Sequence, residues 1–143
     1  MSEPMIVRVT TTIDAPPARV WEALTNPDLI KRYLFGATAT SDWKPGSPIR
    51  WTGDWQGRAY EDKGSVLDAQ PGRLLRFTYF SQFSGLPDTP ANYQTVTIHL
   101  SDEPPRTRLS LSQDNNPTEE ARRHNEENWI KVLAGLKTVV EEH

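Results

Sequence analysis

Several kinds of residue and segment are scarce in this chain of 143 residues or absent from it. It contains no cysteine, which excludes disulfides, catalytic thiolates and thiolate-bound metals. Its three histidines, His99, His124 and His143, have no spacing that would bring two of them together on a helix or a hairpin. We therefore expect no metal site, and no motif in the sequence implies a cofactor.

Long apolar runs and blocks of one charge are absent as well. The 16 basic and 19 acidic side chains leave a net charge of -3. No apolar run approaches the roughly 20 residues that span a bilayer, so we expect neither a membrane nor a nucleic acid as partner. The first five residues lack the basic and apolar parts of a secretory signal, and the expected location is cytoplasmic.

The beginning of the chain predicts one strand followed by two short helices. Residues 6–13 are β-branched except for Arg8 and alternate between two faces, which is typical of a strand. Ala15-Pro16 opens the first helix, and Asn26-Pro27 ends it while supplying an N-cap and a first residue for the second. The apolar stripes of these helices are Val20, Trp21 and Leu24, then Leu29, Ile30 and Tyr33.

Residues 37–113 carry turn signals at short intervals, with alternating runs between them, and predict an antiparallel meander. The predicted inward-facing residues are Ile49, Trp51, Leu75, Phe77, Tyr79, Val96, Ile98, Leu100, Leu109 and Leu111. The predicted solvated face carries Arg50, Arg76, Thr95, Thr97, His99, Arg108 and Ser110.

A long helix is predicted at the end of the chain, with Asn116 as its N-cap and Pro117 in its first turn. About 26 residues would give a helix of roughly 39 Å. Its apolar stripe is Trp129, Val132, Leu133, Leu136, Val139 and Val140. In its first half Asn125 and Asn128 stand where leucines of a core would be expected.

This order of elements resembles the SRPBCC (START-like, polyketide-cyclase-like) superfamily, and within it the branch named after the activator of heat-shock protein 90 ATPase. The matching motifs are Ala15-Pro16, Val20-Trp21-Glu22-Ala23-Leu24, Asn26-Pro27, Trp43-Lys44-Pro45-Gly46, Gly64-Ser65-Val66 with Pro71, Phe77-Thr78-Tyr79, and Asn128-Trp129 with Leu133 and Leu136-Lys137. The resemblance implies an α+β helix-grip fold, in which a curved antiparallel sheet and two short helices after the first strand wrap around a long C-terminal helix. We expect residues 1–143 to form one such domain. The sequence is compatible with both a monomer and a homodimer.

The resemblance also implies a cavity between sheet and long helix that holds a small hydrophobic molecule. Our candidate lining residues are Trp51, Phe77 and Tyr79, with Ser81 on the same face; ordinary core packing is the alternative. Tyr79 is of special interest because a buried phenol needs a hydrogen-bond partner. Tyr33 is assigned to the mouth of the cavity, together with Leu29, Ile30 and Leu34.

Other candidates have simpler alternatives. Asn125 and Asn128 would offer amides to a ligand, unless this half of the helix is solvated. Trp55 and Tyr60 would form a rim, unless they only pack around their turn. Trp21 and Trp129 are interpreted as core residues, and His99 as a solvated one.

The leading hypothesis for function is non-catalytic binding of a small hydrophobic or aromatic molecule, with no catalytic residue assigned. The alternative is a cyclase or hydratase type of enzyme acting on an aromatic or polyketide-like substrate. It would use Tyr79 as proton donor beside His99 or a carboxylate such as Asp54 or Glu61, and the predicted register turns no titratable group inward. A co-chaperone-like protein-binding module is the second alternative. That activity generally depends on a companion N-terminal domain, and we expect the family name not to describe the function.

Overall fold

The computed structural model describes residues 5–81 and 85–142, apart from the side chain of Trp55. The described residues form seven strands and three α-helices. The strands are β1 Val7–Ile13, β2 Thr38–Thr40, β3 Pro48–Trp55, β4 Arg58–Gln70, β5 Leu74–Tyr79, β6 Gln94–Glu103 and β7 Arg106–Gln113. The helices are α1 Pro17–Thr25, α2 Pro27–Tyr33 and α3 Glu119–Glu141.

The predicted pair of short helices is confirmed, and Asn26 joins them. Pro16 is the N-cap of α1, and Pro17 occupies the first turn, where a missing N–H costs no intrahelical bond. The Asn26 N–H closes α1 on Glu22 O, while its side chain accepts a hydrogen bond of 3.0 Å from the Asp28 N–H at the start of α2. One residue therefore ends one helix and begins the next.

All strands of the curved sheet are antiparallel, in the order β1-β7-β6-β5-β4-β3-β2. The chain runs as a meander from β2 to β7, and β1 joins the far edge beside β7. The predicted alternation holds along these strands, because Ile49, Leu75, Val96, Ile98 and Leu109 are all buried. The long helix and α1 close the same face of the sheet, which gives the predicted helix-grip architecture.

The last helix begins two residues later than predicted. Thr118 is its N-cap and accepts from the Ala121 N–H at 3.0 Å, so α3 has 23 residues and is about 35 Å long. Asn116 does not cap it because its side-chain oxygen, the atom that a cap uses, already accepts from Gln94 Nε2 at 3.1 Å and from Asn125 Nδ2 at 2.6 Å. The stripe from Val132 to Val140 is buried as predicted.

A close approach of α2 to α3 depends on one glycine. A Cβ on Gly135 would lie 3.0 Å from Cβ of Tyr33, so a larger residue there would push the two helices apart. Leu133 and Leu136, on either side, anchor α3 in the core. None of the helices in the described part of the chain is long and apolar enough to cross a membrane.

Candidate functional site

Three aromatic rings meet on the inner face of the sheet, as the strand alternation predicts. The Trp51 ring lies 5.6 Å from that of Phe77 and 5.3 Å from that of Tyr79, measured between centroids. Trp51 and Phe77 are buried, whereas Tyr79 and Ser81 are only half-buried. The cluster is therefore more exposed to solvent at the Tyr79 end of β5 than at the Phe77 end. We call Trp51, Asp62, Phe77, Tyr79 and Ser81 the inner site.

Asp62 is the member of the inner site that the sequence reasoning missed. It lies on β4, directly opposite Trp51 in the strand pairing, and only 8% of it is exposed. The Tyr79 hydroxyl donates a hydrogen bond of 2.7 Å to Asp62 Oδ2. The expectation that no titratable group faces inward is wrong at this position. Counting back by twos from the buried Val66 would have found Asp62, since Val66 and Asp62 share a strand face.

The environment of Tyr79 keeps its phenol protonated. Burial raises the pKa of Tyr79 far above its ordinary range, and the negative charge of Asp62 and the hydrogen bond to it raise it further. A hydrogen bond with Ser81 opposes this shift only in part. Tyr79 is therefore a hydrogen-bond donor at any physiological pH, and Asp62 is the acceptor of the pair.

A close backbone contact sets the position of this pair. A Cβ on Gly64 would lie 1.7 Å from the carbonyl oxygen of Thr78, so only glycine lets β4 approach β5 here. The register shifts between Val66 and Asp68, which marks a bulge in β4. Gly64 lies two residues after Asp62, and Thr78 immediately precedes Tyr79. The contact therefore aligns the carboxylate with the phenol.

A network of amides lies beside the inner site. Gln94 is opposite Tyr79 in the strand pairing and accepts from Gln113 Nε2 at 2.7 Å. The Trp129 indole N–H donates to Gln113 Oε1 at 2.7 Å. Asn116 Oδ1 accepts from Gln94 Nε2 at 3.1 Å and from Asn125 Nδ2 at 2.6 Å. The half-buried Trp129 and Asn125 are thereby fixed to the end of the sheet where Tyr79 lies.

The two predicted asparagines of α3 have different surroundings. Asn125 is half-buried and belongs to the amide network, whereas Asn128 is exposed. Trp129 packs against the core, in line with its interpretation as a core residue.

The predicted mouth residues Leu29, Ile30 and Tyr33 lie on α2, and Leu34 is its C-cap. The Tyr33 hydroxyl donates to Ala23 O at 2.9 Å, and burial raises the pKa of Tyr33 well above its ordinary range. Ile30 is buried, while Leu29 lines a cavity of about 140 Å³ between the three helices, with Asn26 on the same wall. Ligand pockets are typically about 300–1,000 Å³. This helix cavity would admit a molecule no larger than a single ring.

The indole N–H of Trp43 is a buried polar group that lacks a hydrogen-bond partner among the described residues. The ring of Trp43 packs against the core. Buried N–H groups are nearly always paired, so this donor is available to a bound molecule or to water.

The other acid-base candidates of the sequence lie away from the inner site. His99 and Asp54 are exposed, and Glu61 is on the outer face, 3.5 Å from Arg50 in an ion pair. Tyr60 is half-buried over Gly53, its cross-strand partner. The Trp55 side chain is outside the described residues. Among the side chains that the structure describes, no three His, Asp or Glu residues are grouped so that they could hold a metal ion.

Comparison with known proteins places the chain in a family. A family model described as Activator of Hsp90 ATPase homolog 1-like protein matches residues 14–141. The chain belongs to this family. The resemblance to the SRPBCC type that the motifs indicate is therefore confirmed. No curated protein matches the chain significantly.

Solved structures share the fold of this chain. ChR145 from Cytophaga hutchinsonii is 47% identical, with a TM-score of 0.85 over 99% of this chain and 97% of that one. MLL2253 from Mesorhizobium loti is 24% identical, with a TM-score of 0.80 over 96% of this chain and 97% of that one. DynU16, a protein of the dynemicin biosynthetic locus, is 19% identical, with a TM-score of 0.79 over 95% of this chain and 47% of that one. The last two likenesses show the fold alone.

Proposed function

We propose that the protein binds a small, mainly apolar or aromatic molecule between the inner face of the sheet and the first half of α3. The observation that carries this proposal is the hydrogen bond of 2.7 Å between Tyr79 and Asp62, set among the rings of Trp51 and Phe77. Ligand sites of this kind combine apolar walls with a few placed polar groups. The family and fold agree with such a site.

The chemistry of the pair suggests which ligand group it would take. Tyr79 donates its only hydroxyl proton to Asp62. The group that the pair offers to a ligand is therefore the Asp62 carboxylate, which is a hydrogen-bond acceptor. A ligand hydroxyl or amine that donates to Asp62 would fit it, whereas a ligand carboxylate would be repelled. We therefore favour a neutral ring compound that carries an O–H or N–H group.

Fluorescence titration with N-phenylnaphthylamine tests this proposal, because the dye is neutral and aromatic and carries one N–H. We expect saturable binding to the wild-type protein and about tenfold weaker binding to Asp62→Asn, as expected when a hydrogen bond to a charged group is lost. Asp88→Asn is the matched control, since Asp88 also accepts from a tyrosine at 2.7 Å but lies on the surface. An equal loss in both variants, or no saturable binding, would refute the proposal.

The Tyr79–Asp62 pair also favours a second candidate, the predicted enzyme of the cyclase or hydratase type. Asp62 would act as the base, and Tyr79, whose raised pKa keeps it protonated, would turn its single O–H from Asp62 to a developing oxyanion. Mass spectrometry of aromatic polyketide-like substrates incubated with wild type and Asp62→Asn separates the candidates. Product formed by the wild type and lost in the variant would establish catalysis; unchanged substrate with retained dye binding would leave a binding protein.

A further inference from the structure

A groove of about 410 Å³ crosses the outer face of the sheet, on the side away from the helices. It is lined by two arginines, Arg8 and Arg76, and by the hydroxyls of Thr97 and Ser112. Its volume falls in the range of small-molecule sites, and it exceeds that of the cavity between the helices. This groove is separate from the inner site, because strand side chains alternate between the two faces.

The strand register arranges these four side chains in one row. Arg8 on β1 is opposite Ser112 on β7, Ser112 is opposite Thr97 on β6, and Thr97 is opposite Arg76 on β5. Three strand spacings put the two arginine backbones roughly 14 Å apart, a gap that two extended guanidinium side chains can close from both ends. The row therefore presents two cations around a pair of hydroxyls.

These arginines differ from the others on the same face in their ion pairing. Arg50 pairs with Glu61 and Arg108 with Glu103, whereas Arg8 and Arg76 form no ion pair within the described part of the chain. Two carboxylates lie close by, and both are engaged in hydrogen bonds.

Asp68 lies opposite Arg76 in the strand pairing and accepts from Gln70 Nε2 at 3.1 Å. Asp114, in the groove wall, accepts from the Thr95 N–H at 2.6 Å. Neither lies within 4.0 Å of the two guanidinium groups, which leaves these cations open to an external anion.

We infer that this outer groove binds a small organic anion, with its phosphate or carboxylate held by Arg8 and Arg76 over Thr97 and Ser112. Arginine forms paired hydrogen bonds with both kinds of anion, and hydroxyls supply further donors. Leu67, at the β4 end of the groove, is 47% exposed and offers an apolar contact to the rest of the ligand. A purely inorganic anion would leave that contact unused.

Nuclear magnetic resonance titration of the full chain with phenyl phosphate, and in parallel with benzoate, tests this inference. We expect saturable shifts of the backbone amides of Arg8, Arg76, Thr97 and Ser112 with at least one of the two probes. Arg8→Gln and Arg76→Gln should each weaken binding about tenfold, the effect of losing a charged hydrogen bond. Arg108→Gln removes the same charge from the same face outside the groove and should change the affinity less than about twofold.

Three results would overturn the inference: no saturable shift with either probe, an equal loss in Arg108→Gln, or shifts confined to the indole N–H groups of Trp51 and Trp129. The last result would place the anion at the inner site instead. If inorganic phosphate bound as tightly as phenyl phosphate, the result would show that Leu67 does not contribute to binding. Because the inner site is tested with a neutral dye, either proposal can fail without the other.

Discussion

A tyrosine–aspartate hydrogen bond on the inner face of the sheet has a counterpart of the same length on the outer side. On the inner face Tyr79 donates to Asp62 at 2.7 Å, and on the outer side Tyr93 donates to Asp88 at 2.7 Å. We call them the inner pair and the outer pair. Asp62 is almost fully buried beside Trp51, whereas Asp88 is exposed and forms an ion pair with Lys63.

Surroundings, rather than bond geometry, give the two pairs different roles. The outer pair joins the segment before β6 to the sheet, helped by the stacking of Phe80 on Tyr93 at 5.1 Å. Hydrogen bonds from Lys63 and Tyr93 lower the pKa of Asp88, and water shares its charge. The inner carboxylate lies among aromatic rings, where loss of its phenol partner costs much more. The outer pair holds the segment before β6 against the sheet. The inner pair places a polar group among apolar side chains.

The largest effect is expected from Gly64, the glycine whose close contact between β4 and β5 aligns the inner pair. In Gly64→Ala the new Cβ would lie 1.7 Å from Thr78 O, so β4 and β5 must separate and the inner pair, which joins these two strands, is displaced. We expect a loss of about 3 kcal/mol or more in the free energy of unfolding, measured by chemical denaturation. The control is Gly53→Ala, whose Cβ would meet only the movable Tyr60 side chain. A loss no larger than that of the control would contradict the account.

A smaller but more selective effect is expected from removing each phenol in turn. Tyr79→Phe should cost about 1.5–3 kcal/mol of unfolding free energy, because a buried carboxylate loses a hydrogen bond. Tyr93→Phe removes a bond of the same length beside an exposed carboxylate and should cost less. Denaturation midpoints at equal slopes give the comparison. Equal losses would show that burial does not distinguish the pairs.

Alkaline titration separates the pairs without reducing stability at neutral pH. Burial raises the pKa of Tyr79 and of Tyr33 far above the ordinary value of 10, so both phenols stay protonated in the folded state. Their contribution to stability is complete below about pH 10 and is lost as the pH rises, since the unfolded chain then releases protons that the folded chain keeps. Burial and the hydrogen bond to Asp88 raise the pKa of Tyr93 as well, but less strongly, so tyrosinate absorbance should show Tyr93 ionising at a lower pH than Tyr79. Tyr79→Phe should reduce the absorbance step at unfolding by one phenol. A full-sized step in that variant would contradict the assignment.

Much of the fold follows from local chemistry that is visible in the sequence. Asn26-Pro27 contains both a helix stop and a helix start, and the alternation in the strands places Trp51, Phe77 and Tyr79 on one face before any tertiary contact is known. The helix α3 begins later than predicted because the side-chain oxygen of Asn116 accepts from Gln94, which is 22 residues away in the sequence. A long-range bond of that kind leaves no local signal.

The central residue of the candidate site could be predicted only in part. Asp62 follows the alternation of β4, but a carboxylate on an apolar face contradicts the usual rule that charged side chains face the solvent. Its burial depends on Tyr79, which is 17 residues further along the chain. The outer groove depends on the register of four strands, of which the sequence shows the alternation but not the alignment.

The most direct test of the inner site uses the indole N–H signals of the five tryptophans in an isotope-labelled sample titrated with N-phenylnaphthylamine. Trp51 belongs to the inner site, Trp129 is joined to it through Gln113 and Gln94, and Trp21 lies on α1. We predict saturable shifts of the Trp51 and Trp129 signals, with Trp21 unchanged. Saturable shifts of Trp21 alone, or none at Trp51, would contradict the account and place any ligand away from the Asp62–Tyr79 pair.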